Sequence, residues 1–137
     1  MRELLDLARW APNHKLTNPW RFRLLGPETR AAVEAQCGEA EVLKLRRAPT
    51  LVLATAVLSE DPALAEEDLL ATGAAVYAVL LAATARGLAS YWRTPPPQVA
   101  ALAPGEHPVA LIHLGTPASD PPAKPREPLE AFFSVLT

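Results

Sequence analysis

The sequence predicts an α/β or α+β layer fold with about four strands. Three features of the chain carry that assignment. Two segments, TLVLATAVL at 50–58 and PVALIHLG at 108–115, are apolar throughout and match strands buried on both faces. A third, LLATGAAVYAVLLAATA at 69–85, is apolar on every side at helical length. Helix and strand patterns then alternate along the chain: helix, strand, helix, strand, long helix, strand, short helix, strand, tail.

Residues 2–10 form an amphipathic pattern with Leu4, Leu5, Ala8 and Trp10 available for burial. Pro12 ends it, because the residue before a proline avoids the helical region. Residues 12–19 read as loop. RFRLL at 21–25 alternates polar and apolar and predicts a strand. Gly26-Pro27 breaks it, and Pro27 suits the first turn of a helix over roughly 28–37. The stretch 38–48 is ambiguous, with VLKLRR able to add a short helical turn. After the buried strand at 50–58, SEDPALAEED reads as an acidic loop leading into a long helix from about Ala65 to Arg86. Gly87 is placed to cap that helix. ASYWR at 89–93 is the next strand, a short helix lies near Pro96–Leu102, and the last strand is 108–115. From Thr116 the chain is proline-rich and closes on Leu129, Phe132, Phe133, Val135 and Leu136. Such an ending is too apolar to leave in water, so an arm reaching a second subunit is expected.

With 137 residues, a single domain over 1–137 is expected, with 116–137 as that arm. A net charge of −2 without a basic block argues against nucleic-acid binding. Cys37 is the only cysteine, which excludes an internal disulfide and a cysteine zinc cluster and fits a reducing, cytoplasmic setting. The N-terminal MRELLDLARW lacks the pattern of a signal peptide. The apolar helix is borderline in length for a membrane span and carries Thr72, Gly73 and Thr84, so a buried central helix is expected and no membrane partner.

Common catalytic motifs are absent: no GxGxxG, no phosphate-binding GxxxxGK[ST], no GxSxG and no HExxH. His14, His107 and His113 have no metal-ligand spacing. His113 lies inside an apolar strand and reads as a hydrogen-bonded core histidine. Nothing near Cys37 in sequence activates it as a nucleophile. Four stretches remain that suit a planar, anionic ligand: WAPNHKLTNPW at 10–20, GLASYWRT at 87–94, LIHLGTP at 111–117 and KPREPLE at 124–130.

These stretches carry a resemblance. PNHKLTNPW at 12–20 is similar in length and in its outer proline and Pro-Trp to the first motif of the FMN-dependent nitroreductase family, roughly PSxxNxQPW. APNHKLTNPWRF resembles the APDHKxxxPWRF pattern of a compact bacterial branch. ATGAAVYAVLLAATARGLASYWRT resembles the family's central helix and following strand, and PVALIHLGTP with KPREPLEAF its last strand and basic tail. The resemblance starts inside the family's second helix, without the usual N-terminal Arg-Arg-Ser segment. The family asparagine and glutamine of the first motif fall on Leu16 and Asn18, and the region between Leu25 and Pro49 looks shortened.

The resemblance implies an α+β fold: a central, mostly antiparallel sheet flanked by helices, a long buried helix and an extended C-terminal arm. It implies FMN as cofactor, NADH or NADPH as reductant, and ping-pong hydride transfer through the flavin to small aromatic acceptors, nitroaromatics or quinones. It also implies a homodimer with both sites at the interface. Trp10, His14, Trp92, Arg93, Thr94, Lys124 and Arg126 would be the cofactor-binding residues, with Trp10 on the ribityl side and Arg126 and Lys124 on the phosphate. No side chain need act as nucleophile. Plainer roles remain open: Trp20 and Phe22 in the core, Trp92 capping a core, Arg93 and Arg126 paired with the acidic loop 60–68, Lys15 solvated. A relative that has lost FMN and serves as a binding or structural dimer is the other expectation.

Overall fold

Strand pairing organises the chain. The computed structural model describes residues 1–120 and 122–136. Its four strands are β1 (Trp20–Leu24), β2 (Thr50–Ala56), β3 (Ala89–Arg93) and β4 (His107–Gly115), in the order β1-β2-β4-β3. Every neighbouring pair is antiparallel, so the mostly antiparallel sheet expected from the resemblance is the one observed. The helices are α1 (Arg2–Ala8), α2 (Pro27–Glu34), α3 (Glu39–Leu45), α4 (Pro62–Ala85) and α5 (Pro97–Ala100), with short 3-10 turns at His14–Leu16 and Leu129–Ala131.

The two central strands are covered on both faces, which is why their sequences do not alternate with polar residues. Val52, Ala54, Ala110, Ile112 and Leu114 face α1 and α4, packing with Leu4, Ala8, Ala75, Val76 and Val79. Leu51, Leu53 and Leu111 face the other way and pack with Val33 of α2, Leu45 of α3, and Val99 and Ala103 in and after α5. Successive residues of one strand thus serve two separate cores. At the far end of the sheet, Arg23 grips Glu106 with two hydrogen bonds of 2.7 Å, and the buried Thr55 hydroxyl also donates to Glu106.

The long helix starts at Pro62, three residues before its expected start at Ala65. Asp61 is its N-cap, accepting a 2.9 Å hydrogen bond from the Ala63 N–H, and Pro62 occupies the first turn. Most of the acidic stretch is therefore helix and not loop. The helix ends as expected: Gly87 has φ +70, its N–H donates to Thr84 O, and the Leu88 N–H donates to Ala83 O. Burial of α4 is one-sided within the chain. Ala71, Thr72, Ala75, Val76, Val79, Ala82 and Ala83 are buried, while Leu70, Tyr77 and Leu81 are exposed. By length and composition α4 could also cross a membrane, but its buried stripe lies against this sheet. Trp10 lies beyond the end of α1, is 75% exposed, and has the Arg9 guanidinium over its ring. The ambiguous 38–48 stretch contains α3.

Gly115 closes β4 against Pro49. A Cβ there would sit 2.8 Å from Pro49 Cδ, a ring atom with little freedom to move. Replacing Gly115 with Ala is expected to destabilise the fold by about 1–3 kcal/mol, read as a lower urea midpoint at unchanged slope.

Candidate functional site

A cavity of about 530 Å³ opens at the β3 edge of the sheet on the α3 side. That is a common size for a small-molecule site, roughly 300–1,000 Å³. Strand alternation decides which side chains reach it. Tyr91 and Arg93 of β3 line it, whereas Trp92 between them points to the opposite face, its ring edge 3.7 Å from where a Cβ on Gly73 of α4 would lie. Tyr91 pairs in register with His113 of β4, and the two rings meet edge-on at 6.2 Å. Lys44 and Arg47 come from the end of α3 and the turn after it, and Gly115 to Ala118 close the mouth. Among the described residues no strand pairs with the outer edge of β3, and an unpaired edge leaves outward N–H and C=O groups without ladder partners.

Arg30 of α2 sets the turn that carries Lys44 and Arg47. Its guanidinium donates to Leu45 O at 2.8 Å, Ala48 O at 3.0 Å and Pro49 O at 3.1 Å, while Glu34 holds it from behind at 3.1 Å.

The cavity is cationic, with Lys44, Arg47 and Arg93 in its lining. Arg93 also reaches the Glu41 carboxylate at 2.6 Å, and that hydrogen bond holds Glu41 below its ordinary pKa against the opposing effect of burial. Three polar atoms here are buried without a hydrogen-bond partner among the described residues, Glu41 Oε1, Arg93 Nη1 and His113 Nε2, although Glu41 Oε1 is ion-paired with Arg93 at 2.6 Å. Leaving such an atom unpaired costs about 1–3 kcal/mol. Burial first, and then Arg93, Arg30 and Arg47, push the His113 pKa down, with Glu41 opposing. His113 is therefore neutral at neutral pH.

The loop before β1 forms a second, shallower depression lined by Pro12, Asn13, His14, Glu67, Leu70, Ala71 and Ala74. Lys15, Leu16 and Asn18 all have positive φ, a conformation that disfavours side chains. Asp68 of α4 pins them. It accepts from the Thr17 hydroxyl at 2.6 Å and from Ser59 through both its hydroxyl at 2.6 Å and its N–H at 2.9 Å. Burial raises the Asp68 pKa, but these hydrogen bonds outweigh it and the net direction is down. Asn13 Oδ1 accepts from the Asn18 N–H, and His14 faces Glu67 at 3.1 Å.

The residues singled out from sequence are thus divided. Arg93 lies in the main cavity; its carboxylate partner is Glu41 and not the 60–68 segment. Trp92 adjoins on the α4 face, where its indole N–H donates to Val109 O at 3.2 Å, and Thr94 follows at the strand end. His14 lines the loop depression, while Lys124 and Arg126 lie on the exposed arm. Lys44, Arg47, Tyr91 and His113 were not singled out as ligand contacts. Tyr91 and His113 lie within the GLASYWRT and LIHLGTP stretches, and the only sequence signal for Lys44 and Arg47 was the basic VLKLRR run.

A four-stranded antiparallel sheet with helices on both faces, one long helix and a cavity at the sheet edge defines a nitroreductase-like α+β protein. The Nitroreductase family model matches residues 28–116, and the chain belongs to that family. YfhC of Bacillus subtilis (strain 168), provisionally named an NAD(P)H nitroreductase, is 26% identical, with 98% of this chain and 81% of YfhC covered. A nitroreductase-like family protein from Bacillus cereus is 27% identical with a TM-score of 0.81, covering 98% of this chain and 82% of that one. A provisionally named nitroreductase from Desulfovibrio desulfuricans, solved in complex with FMN, is 26% identical with a TM-score of 0.78, covering 96% and 80% respectively.

Two outcomes are expected. Asp68→Ala should cost about 1–3 kcal/mol and release the loop, seen as faster tryptic cleavage after Lys15 in the folded protein. Because the folded-state pKa of His113 lies below its unfolded value of about 6.5, the unfolded chain binds more protons beneath that pH. Wild-type stability should therefore fall relative to His113→Gln as pH drops through about 6.5, measured by urea melts across that window.

Proposed function

We propose that the chain is an FMN-dependent NAD(P)H oxidoreductase that reduces nitroaromatic or quinone-type acceptors. The observation that carries this reading is the main cavity: Lys44, Arg47 and Arg93 beside a free strand edge and a buried, unpaired His113 Nε2. A planar group with a polar edge and negative charge fits that lining, and FMN has both. The FMN complex of the Desulfovibrio desulfuricans relative supports the same assignment.

In this reading Arg93, Lys44 and Arg47 supply positive potential along the polar edge of the ring, and the open backbone of β3 supplies directed hydrogen bonds. Lys124 and Arg126 of the arm hold the phosphate, where the planar fork of Arg126 suits two oxygens. Trp92 and Thr94 border the ring from the strand end, and Trp10 and His14 approach from the loop side. Bound FMN supplies a ring that accepts and donates hydride. The residues bind and orient reactants and exclude water; none is needed as a nucleophile. We further propose a cytoplasmic homodimer. The exposed Leu70, Tyr77 and Leu81 of α4, with the apolar end of the 116–137 arm, would cover a partner subunit and bring its His14 loop toward the site.

A second reading, a flavin-free dimer with a binding or structural role, is favoured by one observation. Arg93 is already engaged by Glu41. The visible spectrum of the protein with and without added FMN separates the two, followed by NAD(P)H oxidation with a nitroaromatic acceptor. No flavin uptake at any FMN concentration leaves only the second reading. Under the first, Arg126→Ala is expected to weaken FMN about tenfold to a hundredfold, the worth of one charge-assisted hydrogen bond, while riboflavin affinity stays unchanged. Flavin fluorescence titration checks both.

A further inference from the structure

We propose that Glu41 is a positioning residue of the main cavity: it aims and offsets the Arg93 guanidinium, and thereby holds down the reduction potential of bound flavin. The proposal rests on the cavity holding FMN with the polar edge of its ring toward Arg93. It deepens that reading by naming the residue that sets how strongly reduction is favoured, and so which acceptors the flavin can reduce.

Three observations support it. The cavity lining contains Lys44, Arg47 and Arg93 but, among the described residues, no Asp or Glu. Glu41, in the first turn of α3, stands outside the lining and yet reaches two of those three cations. Arg93 Nη2 lies 2.6 Å from each Glu41 oxygen and donates to Oε2, and Lys44 Nζ is 3.9 Å from Oε2. Among the described residues Glu41 is also the one carboxylate paired with a lining cation. Glu34 of α2 is held instead by Arg30 at 3.1 Å and Arg46 at 2.7 Å, neither of which lines the cavity. Finally, the cations have open surface: the Lys44 side chain is 47% exposed and that of Arg93 18%. Glu41 therefore acts on a ligand through them and needs no contact of its own. Arg93 is the last residue of β3, in register with Leu111 of β4, so a carboxylate from the helical layer fixes the direction of a side chain anchored in the sheet.

A cation beside the polar edge of a flavin favours its reduced form, because reduction places negative charge there. A carboxylate against that cation cancels much of its field at the ring, and does so more strongly in a partly buried site than in water. The bond to Arg93 keeps Glu41 ionised at neutral pH, so the offset is present under working conditions. The Glu41–Arg93 pair thus has a use in a flavoprotein as well as in a flavin-free protein. It leaves the ring a directed guanidinium without the full charge that would trap it in the reduced state.

The test measures the reduction potential of FMN bound to the full chain, by reductive titration against a dye of known potential at about pH 7.5, where Glu41 is ionised. Glu41→Gln should favour reduced over oxidised FMN about tenfold more than wild type does, a rise of about 30 mV for a two-electron couple. Glu41→Asp keeps the charge and should stay within about threefold of wild type, roughly 15 mV. Replacing Glu41 and Arg93 together with Gln removes both charges and should also stay within about threefold. A role for Glu41 in packing alone would lower stability without this pattern of potentials. Circular dichroism checks that each variant folds. The double variant leaves no unpaired buried charge, so it decides the matter if Glu41→Gln does not fold. Wild type that binds FMN, with the potential of folded Glu41→Gln unmoved or lowered, overturns this inference alone. A double variant whose potential falls by about 30 mV or more does the same, because Arg93 would then act on the ring without an offset. Wild type that binds no flavin overturns the cofactor reading and this inference together.

Discussion

The antiparallel ladder between β2 and β4 is the constraint on which the rest of the molecule depends. Both strands are buried on both sides, so each residue step commits a side chain to one core or the other. A slip of one position would turn Leu51, Leu53 and Leu111 toward α4 and Val52 and Ile112 toward α3. The same register puts His113 beside the cavity and not among the α4 contacts. Core packing and site geometry are therefore specified by a single alignment.

The cavity forms where that ladder runs out of neighbours. β3 is an edge strand, and beyond it the helical layer on that side offers only the end of α3 and its turn. Cations collect there from elements that are remote in sequence, and Glu41 draws one of them inward. On the other face, α4 holds the loop before β1 through Asp68, so the two candidate ligand surfaces share a rigid frame without sharing a residue. Three side chains in left-handed backbone persist in that loop because hydrogen bonds to Asp68 and Asn13 determine its path.

Much of the fold is legible in the sequence, because buried strands and an apolar helix leave compositional marks. TLVLATA and PVALIHLG declare themselves by lacking polar alternation, and Gly87 marks a helix end. The start of α4 was harder to place, since the acidic stretch 59–68 looks like loop until Asp61-Pro62 is taken as cap and first helical residue. The site was legible only in part. Arg93 stands out through the motif resemblance, but Lys44, Arg47 and His113 converge through strand pairing and helix packing, and no spacing along the chain encodes that. His113 shows the difficulty directly. Its burial follows from the strand pattern, whereas the absence of a partner for Nε2 is a property of the assembled cavity.

Arg30 gives one segment of the chain a reach beyond its own contacts. It belongs to α2, which contributes nothing to the cavity lining, yet its guanidinium ties three consecutive-turn carbonyls at Leu45, Ala48 and Pro49. Lys44 and Arg47 ride on that knot. Sequence drift in α2 would therefore register as altered ligand preference at a distance, and α2 offers a lever for retuning the cavity without touching its walls.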